Sequence, residues 1–203
     1  MPVFRTLTAL VLALVFHAPL WAAEIPVGAI STFLNDLTTA KGGFTQINPD
    51  GTISTGTLYI RRPGRIRFEY DPPDPALVLA GGGTVAIFDG KSNEPPQQFP
   101  LKKTPLSVIL RANVDLEKSN LITDHRSDDL TTTITAQDPE RPEIGYIELV
   151  FTADPVELRQ WVITDENGSQ TTVILGDMET GVKINAALFS VQAEMDKRRP
   201  KGR

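Results

Sequence analysis

Residues 56–70 read GTLYIRRPGRIRFEY, and in this stretch two apolar runs flank a proline–glycine pair. Residues with β-branched and aromatic side chains favour strands, and a proline–glycine pair favours a tight turn. The stretch therefore predicts two antiparallel strands joined at Pro63–Gly64. Because side chains alternate across a strand, each strand contributes every second residue to one shared face. The predicted apolar face consists of Leu58, Ile60, Ile66, Phe68 and Tyr70.

Four arginines accompany these apolar residues, and strand parity separates one of them from the others. Arg61, Arg65 and Arg67 have the parity of the opposite face, which we expect to be solvated. Arg62 has the parity of the apolar face and lies at the end of the first strand. A guanidinium stays charged and needs acceptors when it is buried. Carbonyl groups at a helix end would provide them. Alternatively, Arg62 extends into solvent or pairs with a carboxylate such as Asp89.

Similar short segments, rich in β-branched and aromatic residues, recur along the chain with turn residues between them. Asp50–Gly51 and Asn167–Gly168 predict hairpins with type I′ turns, which require positive φ at both central residues. A series of strands joined by short turns predicts an antiparallel meander that curls into a barrel or half-barrel. The segments lie at 43–47, 54–60, 64–70, 84–89, 130–137, 145–151, 158–164 and 170–175.

Two further stretches have the spacing of helices. In the first, apolar residues recur at i, i+3, i+4 and i+7, and the predicted helix ends at the glycine pair 42–43. In the second, Thr104 is the expected N-cap, Pro105 takes the first helical position, and the helix ends near Asn113. A helix this short and apolar must dock on another element, either as a plug of the sheet's core or as a movable lid. The apolar positions are Ile30, Phe33, Leu34 and Leu37 in the first helix and Leu106, Ile109 and Leu110 in the second.

The first 22 residues have the composition of a secretory signal peptide. Arg5 is followed by an apolar run over 7–16, which is too short to span a bilayer as a helix. We favour cleavage after Ala22 over cleavage after Ala23, since the latter places the bulky Trp21 at the −3 position. A retained membrane anchor is the alternative.

Composition narrows the classes of protein that remain. The chain of 203 residues carries a net charge of −5 and contains no cysteine. The acidic balance argues against a nucleic-acid binder, and the lack of cysteine excludes disulfides and thiolate sites. We expect a single domain over 23–196. A basic tail over 197–203 would follow it, either solvated or weakly attracted to anionic lipid head groups.

Candidate catalytic and metal-ligating residues are few. After the leader, His125 is the single histidine, and no serine lies in the glycine pattern of a nucleophile elbow. We expect His125 in a surface loop or at a strand end. The nearby Asp124, Asp128 and Asp129 lack the spacing of a calcium loop. The sequence therefore predicts neither an enzyme, nor a metal site, nor a cofactor.

In the order of these motifs the chain resembles the LolA family, the periplasmic carriers of outer-membrane lipoproteins. The resemblance covers most of the mature chain, and its most specific element is RPGRIRFEY at 62–70. The other matching segments are LVLAGGGTVAIFD at 77–89, TPLSVIL at 104–110, LRQWVITDENGSQTTVIL at 158–175 and INAALFSV at 184–191.

The resemblance implies a β-rich α+β fold, in which an unclosed antiparallel β-barrel is covered by a short helical lid over a hydrophobic cavity. The arginine that precedes the family's proline turn corresponds to Arg62. In the family this arginine points inward and bonds the lid, so Arg62 is expected to control release. Beyond the strand pair, the expected cavity residues are Leu106, Ile109, Leu110, Phe151 and Trp161.

The expected function follows from the same resemblance. A soluble, monomeric periplasmic chaperone would hold the acyl chains of lipoproteins. It would receive them from an inner-membrane ATP-driven release complex and deliver them to a LolB-like outer-membrane acceptor. The alternative is an acceptor or sensor of the same fold that binds lipids or lipoproteins. An acceptor would need a cysteine at the mature N-terminus and a sensor would need a further domain, so the sequence favours the carrier.

Overall fold

The structure, a computed structural model, describes residues 24–73, 75–92 and 94–199. The predicted signal peptide and the end of the predicted tail lie outside these residues. Two α-helices are present in the described part, α1 (Val27–Asp36) and α2 (Val191–Arg198). The strands are β1 (Thr39–Ile47), β2 (Ile53–Arg61), β3 (Ile66–Tyr70), β4 (Leu77–Gly81), β5 (Thr84–Phe88), β6 (Gln97–Pro100), β7 (Ile122–Ser127), β8 (Thr132–Gln137), β9 (Tyr146–Thr152), β10 (Glu157–Thr164) and β11 (Gln170–Thr180).

All these strands form one antiparallel sheet in the order β6-β5-β4-β3-β2-β1-β11-β10-β9-β8-β7. The first and last strands pair in the middle, and β6 and β7 are the edges. Phe68 on β3 and Trp161 on β10 lie four strands apart, a separation of about 19 Å in a flat sheet. Their ring centroids are only 6.2 Å apart, so the sheet is strongly curled. The prediction of an unclosed antiparallel sheet is confirmed.

The predicted hairpins form, but the predicted turn type is wrong at two of them. Gly51 and Gly168 have positive φ, of 81° and 79°, whereas the residue before each glycine does not. Both loops are five residues long, and loops of that length are most often built around a type I turn, whose two central residues have negative φ. Two consecutive positive φ values occur instead at Gly82 and Gly83, which join β4 to β5.

Helix α1 forms where it was predicted, but it ends at Asp36, well before the glycine pair 42–43. Those glycines lie inside β1, opposite a bulge in β11. A Cβ atom on Gly42 would lie 2.5 Å from the carbonyl oxygen of Asp177. The glycine therefore permits the close approach of β11 and does not terminate the helix.

The sheet buries apolar residues on both faces. The concave face carries the larger core, which includes α1. The convex face carries a smaller core that is covered by the C-terminal segment, a 3₁₀ turn at Ala186–Phe189 followed by α2. Ser190 caps α2 by accepting a hydrogen bond from the backbone N–H of Ala193. The buried residues of this second core are Leu77, Leu79, Ala86, Phe88 and Phe189.

The second core corrects the prediction that Arg61 and Arg67 face solvent. Arg67 is only 5 % exposed, and its Nη1 donates to the carbonyl oxygen of Leu188 over 3.0 Å. Its guanidinium also lies 3.4 Å from the carboxylate of Glu194. Arg61 is half-buried and donates to the carbonyl oxygen of Ile184 over 2.8 Å. The C-terminal segment is therefore bonded to the convex side of the β2–β3 hairpin.

Part of the predicted tail belongs to α2, which extends to Arg198. The guanidinium of Arg198 lies 4.8 Å from the ring centroid of Phe88, and its Nε donates to Glu194 over 2.8 Å. Among the described residues, no helix is both long enough and apolar enough to cross a membrane.

Candidate functional site

The concave face brings together the residues that sequence parity and the family resemblance single out. All of the apolar ones except Tyr70 are buried in the same cluster. Tyr70 is half-buried at its margin, and its hydroxyl donates to Oε1 of Gln46 over 2.7 Å. Burial raises the pKa of Tyr70 to about 12, so the phenol stays neutral. The buried members are Leu58, Ile60, Ile66, Phe68, Leu106, Ile109, Leu110, Phe151 and Trp161.

Aromatic rings form the floor of this face. The ring of Phe68 lies edge-on to Trp161 and, at 5.3 Å between centroids, to Phe44 on β1. Phe33 of α1 makes a similar edge-on contact with Phe151 at 5.8 Å. Edge-to-face pairs are favourable beyond the apolar area they bury, so α1 fits against the sheet through specific ring contacts.

The lid segment, residues 101–116, covers the concave face but is not the predicted α-helix. It contains two short 3₁₀ turns, Leu101–Lys103 and Pro105–Ser107, and then irregular turns. Thr104, which precedes a proline, is extended, with φ −128° and ψ 145°. The three residues 108–110 are all buried. A regular helix turns by about 100° per residue and would direct at least one of these three away from the core, which favours the irregular conformation.

Helix α1 holds the far end of the lid segment through side-chain hydrogen bonds. Asn35 donates to the carbonyl oxygen of Val114 and accepts from the same residue's N–H, both over 2.9 Å. The hydroxyl of Ser31 accepts from the N–H of Leu116 over 3.1 Å. These bonds fix residues 114–116 to the helix, whereas the apolar turn before them is held mainly by packing.

The β2–β3 turn holds the middle of the lid segment. Nη2 of Arg62 donates to the carbonyl oxygen of Arg111 over 2.6 Å, and the N–H of Gly64 donates to the carbonyl oxygen of Leu110 over 2.9 Å. Of the alternatives for Arg62, which were carbonyl groups, solvent and a carboxylate, the structure contains a carbonyl contact, although this carbonyl belongs to an irregular turn and not to a helix end. Burial lowers the pKa of the Arg62 guanidinium from its ordinary value, yet an arginine remains charged at any physiological pH.

This closed arrangement leaves several buried polar atoms unsatisfied. Nε of Arg62, Oγ of Ser107 and Nε1 of Trp161 are buried and have no hydrogen-bond partner among the described residues. A buried donor without an acceptor costs about 1–3 kcal/mol. The first two atoms belong to the turn and the lid segment, and the third lies in the concave core. Two of these three atoms therefore lie where the lid segment and the β2–β3 turn come together.

The acidic stretch near His125 supports no metal site in the described part of the chain. His125 lies within the edge strand β7, not in a loop, and its Nε2 is 3.1 Å from the carbonyl oxygen of Ile25. Asp124 pairs with Arg126, and Asp128 accepts from backbone N–H groups of the β7–β8 turn. No group of three or more potential ligands comes together among the described residues.

Sequence reasoning missed Arg67 and Glu194, which join the C-terminal segment to the hairpin that carries Arg62. Strand parity assigns Arg67 correctly to the convex face, but it does not reveal what covers that face. A signal was present in the segment 184–198, where apolar residues precede a helix with an acidic residue in its first turn.

The described residues therefore form a curled antiparallel sheet whose apolar concave face lies beneath a short cover. The model of the family described as outer membrane lipoprotein carrier protein LolA matches residues 35–192. The chain therefore belongs to the LolA family. This confirms the predicted family and the prediction of a carrier that is not an enzyme.

The relatives extend over most of the chain. An outer-membrane lipoprotein carrier protein from Methylococcus capsulatus is 25% identical over 197 residues, which cover 93% of each chain. Its counterpart from Coxiella burnetii is 31% identical over 169 residues, or 79% of each chain. Among solved structures, a LolA superfamily protein from Nitrosomonas europaea has a TM-score of 0.46 at 10% identity, covering 82% of this chain and 98% of that one.

Proposed function

We propose that this chain carries lipoproteins through the periplasm from the inner to the outer membrane, with their acyl chains held between the concave face and the lid segment. Family membership supports the cargo class, and the buried apolar face supports its location. In water, each methylene of an acyl chain costs about 0.8 kcal/mol, so one chain of ~16 carbons costs roughly 12 kcal/mol. An acylated protein therefore needs a sheltered route between two membranes.

The observation that carries the proposal is the bond between Arg62 and the carbonyl oxygen of Arg111. It joins the turn of the sheet to the middle of a lid that is also held there by the backbone hydrogen bond from Gly64, by an ion pair of 3.9 Å between Arg111 and Asp138, and by apolar contacts. Acyl chains can replace the lid's own apolar side chains at little cost, because the two surfaces are chemically alike. Loading then breaks the Arg62 bond, and its return helps to expel the cargo.

The proposal implies two hand-over steps for a monomeric carrier. Cargo comes from an inner-membrane ATP-driven release complex and goes to an outer-membrane acceptor. The closed state, in which its own side chains fill the concavity, is then the unloaded form. Closure of the lid lowers the carrier's net affinity for the acyl chains. The acceptor's affinity for them therefore needs to be only slightly higher than that of the carrier.

Ile109→Glu is expected to weaken acyl binding about tenfold or more. Ile109 belongs to the lid segment, is 4 % exposed and packs in the concave core, where a carboxylate would have to be desolvated against an acyl chain. The affinity of a fluorescent fatty-acid probe for the purified protein, and its displacement by a triacylated lipopeptide, measure the effect.

Ile53→Glu is the matched control for this experiment. Ile53 is the first residue of β2, is 68 % exposed and has the parity of Tyr59 on the convex face, so the same substitution adds a charge without entering the concave face. Equal probe affinities in both folded variants would place the acyl site away from the lid segment and contradict the proposal.

A further inference from the structure

The wall of the curled sheet has a gap between β10 and β11. The ladder between these strands spans Gln160–Thr164 and Gln170–Ile174, whereas β11 continues along β1 as far as Thr180. A bulge flanks the gap on each side. Arg159 is the extra residue of β10, and two residues of β11, 176 and 177, lie opposite Gly43. Bulges bend strands, and the ladder between β10 and β11 ends next to both of these bulges.

A pocket of about 330 Å³ occupies the gap and lies beside the end of α1. Its volume is at the lower end of the range typical of small-ligand sites. Its apolar lining is continuous with the concave core, because several lining residues belong to the same buried cluster. The apolar lining includes Phe33, Leu37, Ile60, Leu158, Leu175 and Met178.

The rim of the pocket is polar, in contrast to its floor. Glu157 and Arg159 form an ion pair at one side, and Asp177 is exposed at the other. An apolar floor with a polar rim suits a ligand that has an apolar tail and a polar head. The pocket is open while the lid segment is closed and Arg62 is bonded to it. It is therefore available to a ligand before the lid moves.

We propose that this pocket in the sheet wall is a binding site for one acyl chain of the cargo lipoprotein, occupied through the β10–β11 gap before the lid segment opens. This inference rests on the proposed function. The continuity of the pocket with the concave core gives the chain a route inward, along Ile60 and Leu158. The pocket lies in the sheet wall and not beneath the lid segment. Substitutions can therefore distinguish binding in the pocket from binding beneath the lid segment.

The absence of cysteine from the sequence permits a direct test by single-cysteine labelling. Met178→Cys places a thiol in the pocket, and Ile174→Cys places one on the same strand, at a residue that is 39 % exposed and does not line the pocket. With a triacylated lipopeptide at about ten times its Kd, maleimide labelling of Met178→Cys should slow about tenfold, since only the free fraction reacts. Labelling of Ile174→Cys should not change.

Native mass spectrometry of the same samples separates the possible failures. If lipopeptide binds but labelling of Met178→Cys keeps its rate, the wall site is wrong and the proposed function stands. If no lipopeptide binds, both are wrong. Protection by free palmitate but not by lipopeptide would identify a fatty-acid site and overturn the assignment to cargo.

Discussion

A carrier with Arg62→Leu is expected to load lipoprotein normally and to transfer it poorly, at a rate roughly 10- to 100-fold below that of the wild type. The substitution removes a charged hydrogen bond to the carbonyl oxygen of Arg111, worth about 1.5–3 kcal/mol to the closed state. It also adds an apolar side chain next to the acyl site. Both changes favour the loaded state. A two-step assay, loading followed by transfer to acceptor membranes, measures each step separately.

Arg65→Leu is the control for this variant. Arg65 lies in the same turn and is half-buried, so the change in charge and shape is the same a few residues away. Arg67 is unsuitable as a control, because it is buried against the C-terminal segment. Arg62→Lys should transfer at an intermediate rate, since an ammonium lacks the planar fork of donors. Normal transfer by Arg62→Leu together with defective transfer by Arg65→Leu would refute the assignment.

Glu194→Ala is expected to lower the free energy of unfolding by about 3 kcal/mol, or roughly 6–12 °C in Tm for a chain of this size. Glu194 is 8 % exposed and is the buried carboxylate partner of Arg67, at 3.4 Å, whereas the more exposed Glu69 pairs with the same guanidinium at 2.7 Å. Its loss leaves the Arg67 guanidinium buried with only the partly exposed Glu69 as a counter-charge. Thermal unfolding followed by circular dichroism measures the change.

The double variant Arg67→Met/Glu194→Leu should recover most of this loss. A buried ion pair replaced by well-packed apolar side chains is often neutral or stabilising, whereas removal of one partner is not. A double variant as unstable as Glu194→Ala would show that the damage comes from helix packing and not from an unpaired charge.

The same pair gives stability a defined pH dependence. Burial alone would raise the pKa of Glu194, but the hydrogen bond from Arg198 and the charge of Arg67 outweigh it and hold the pKa below its ordinary value of 4.5. A lowered pKa contributes stability that is present above the unfolded value and is lost as pH falls through the folded one. The Tm of the wild type should therefore fall below about pH 4.5 more steeply than that of the double variant.

The parts of the fold that local sequence determines could be predicted. The alternation in β2 and β3 was enough to assign Leu58 and Phe68 to the concave face, because strand parity depends only on adjacent residues. The same parity assigned Arg67 to the convex face, but its burial depends on a segment about 120 residues further along the chain. The residues next to Arg67 in the sequence therefore could not predict that contact.

The conformation of the lid segment and the gap between β10 and β11 could not be predicted from sequence patterns. The spacing of Leu106 and Ile109 fits a helix, yet the need to bury consecutive apolar residues and the constraint before Pro105 favour tight turns. The gap depends on the register of β11 with two neighbours at once. Register is a property of strand pairs, so the sequence of β11 alone does not reveal it.

The central claim is that this chain holds lipoprotein acyl chains and that Arg62 determines their release. Native mass spectrometry of the carrier purified from the periplasm, as wild type and as Arg62→Leu, tests it most directly. The account predicts a species whose added mass equals that of an acylated lipoprotein, and it predicts more of this species for Arg62→Leu. Bare protein in both samples, or a bound protein without acyl groups, would contradict the account.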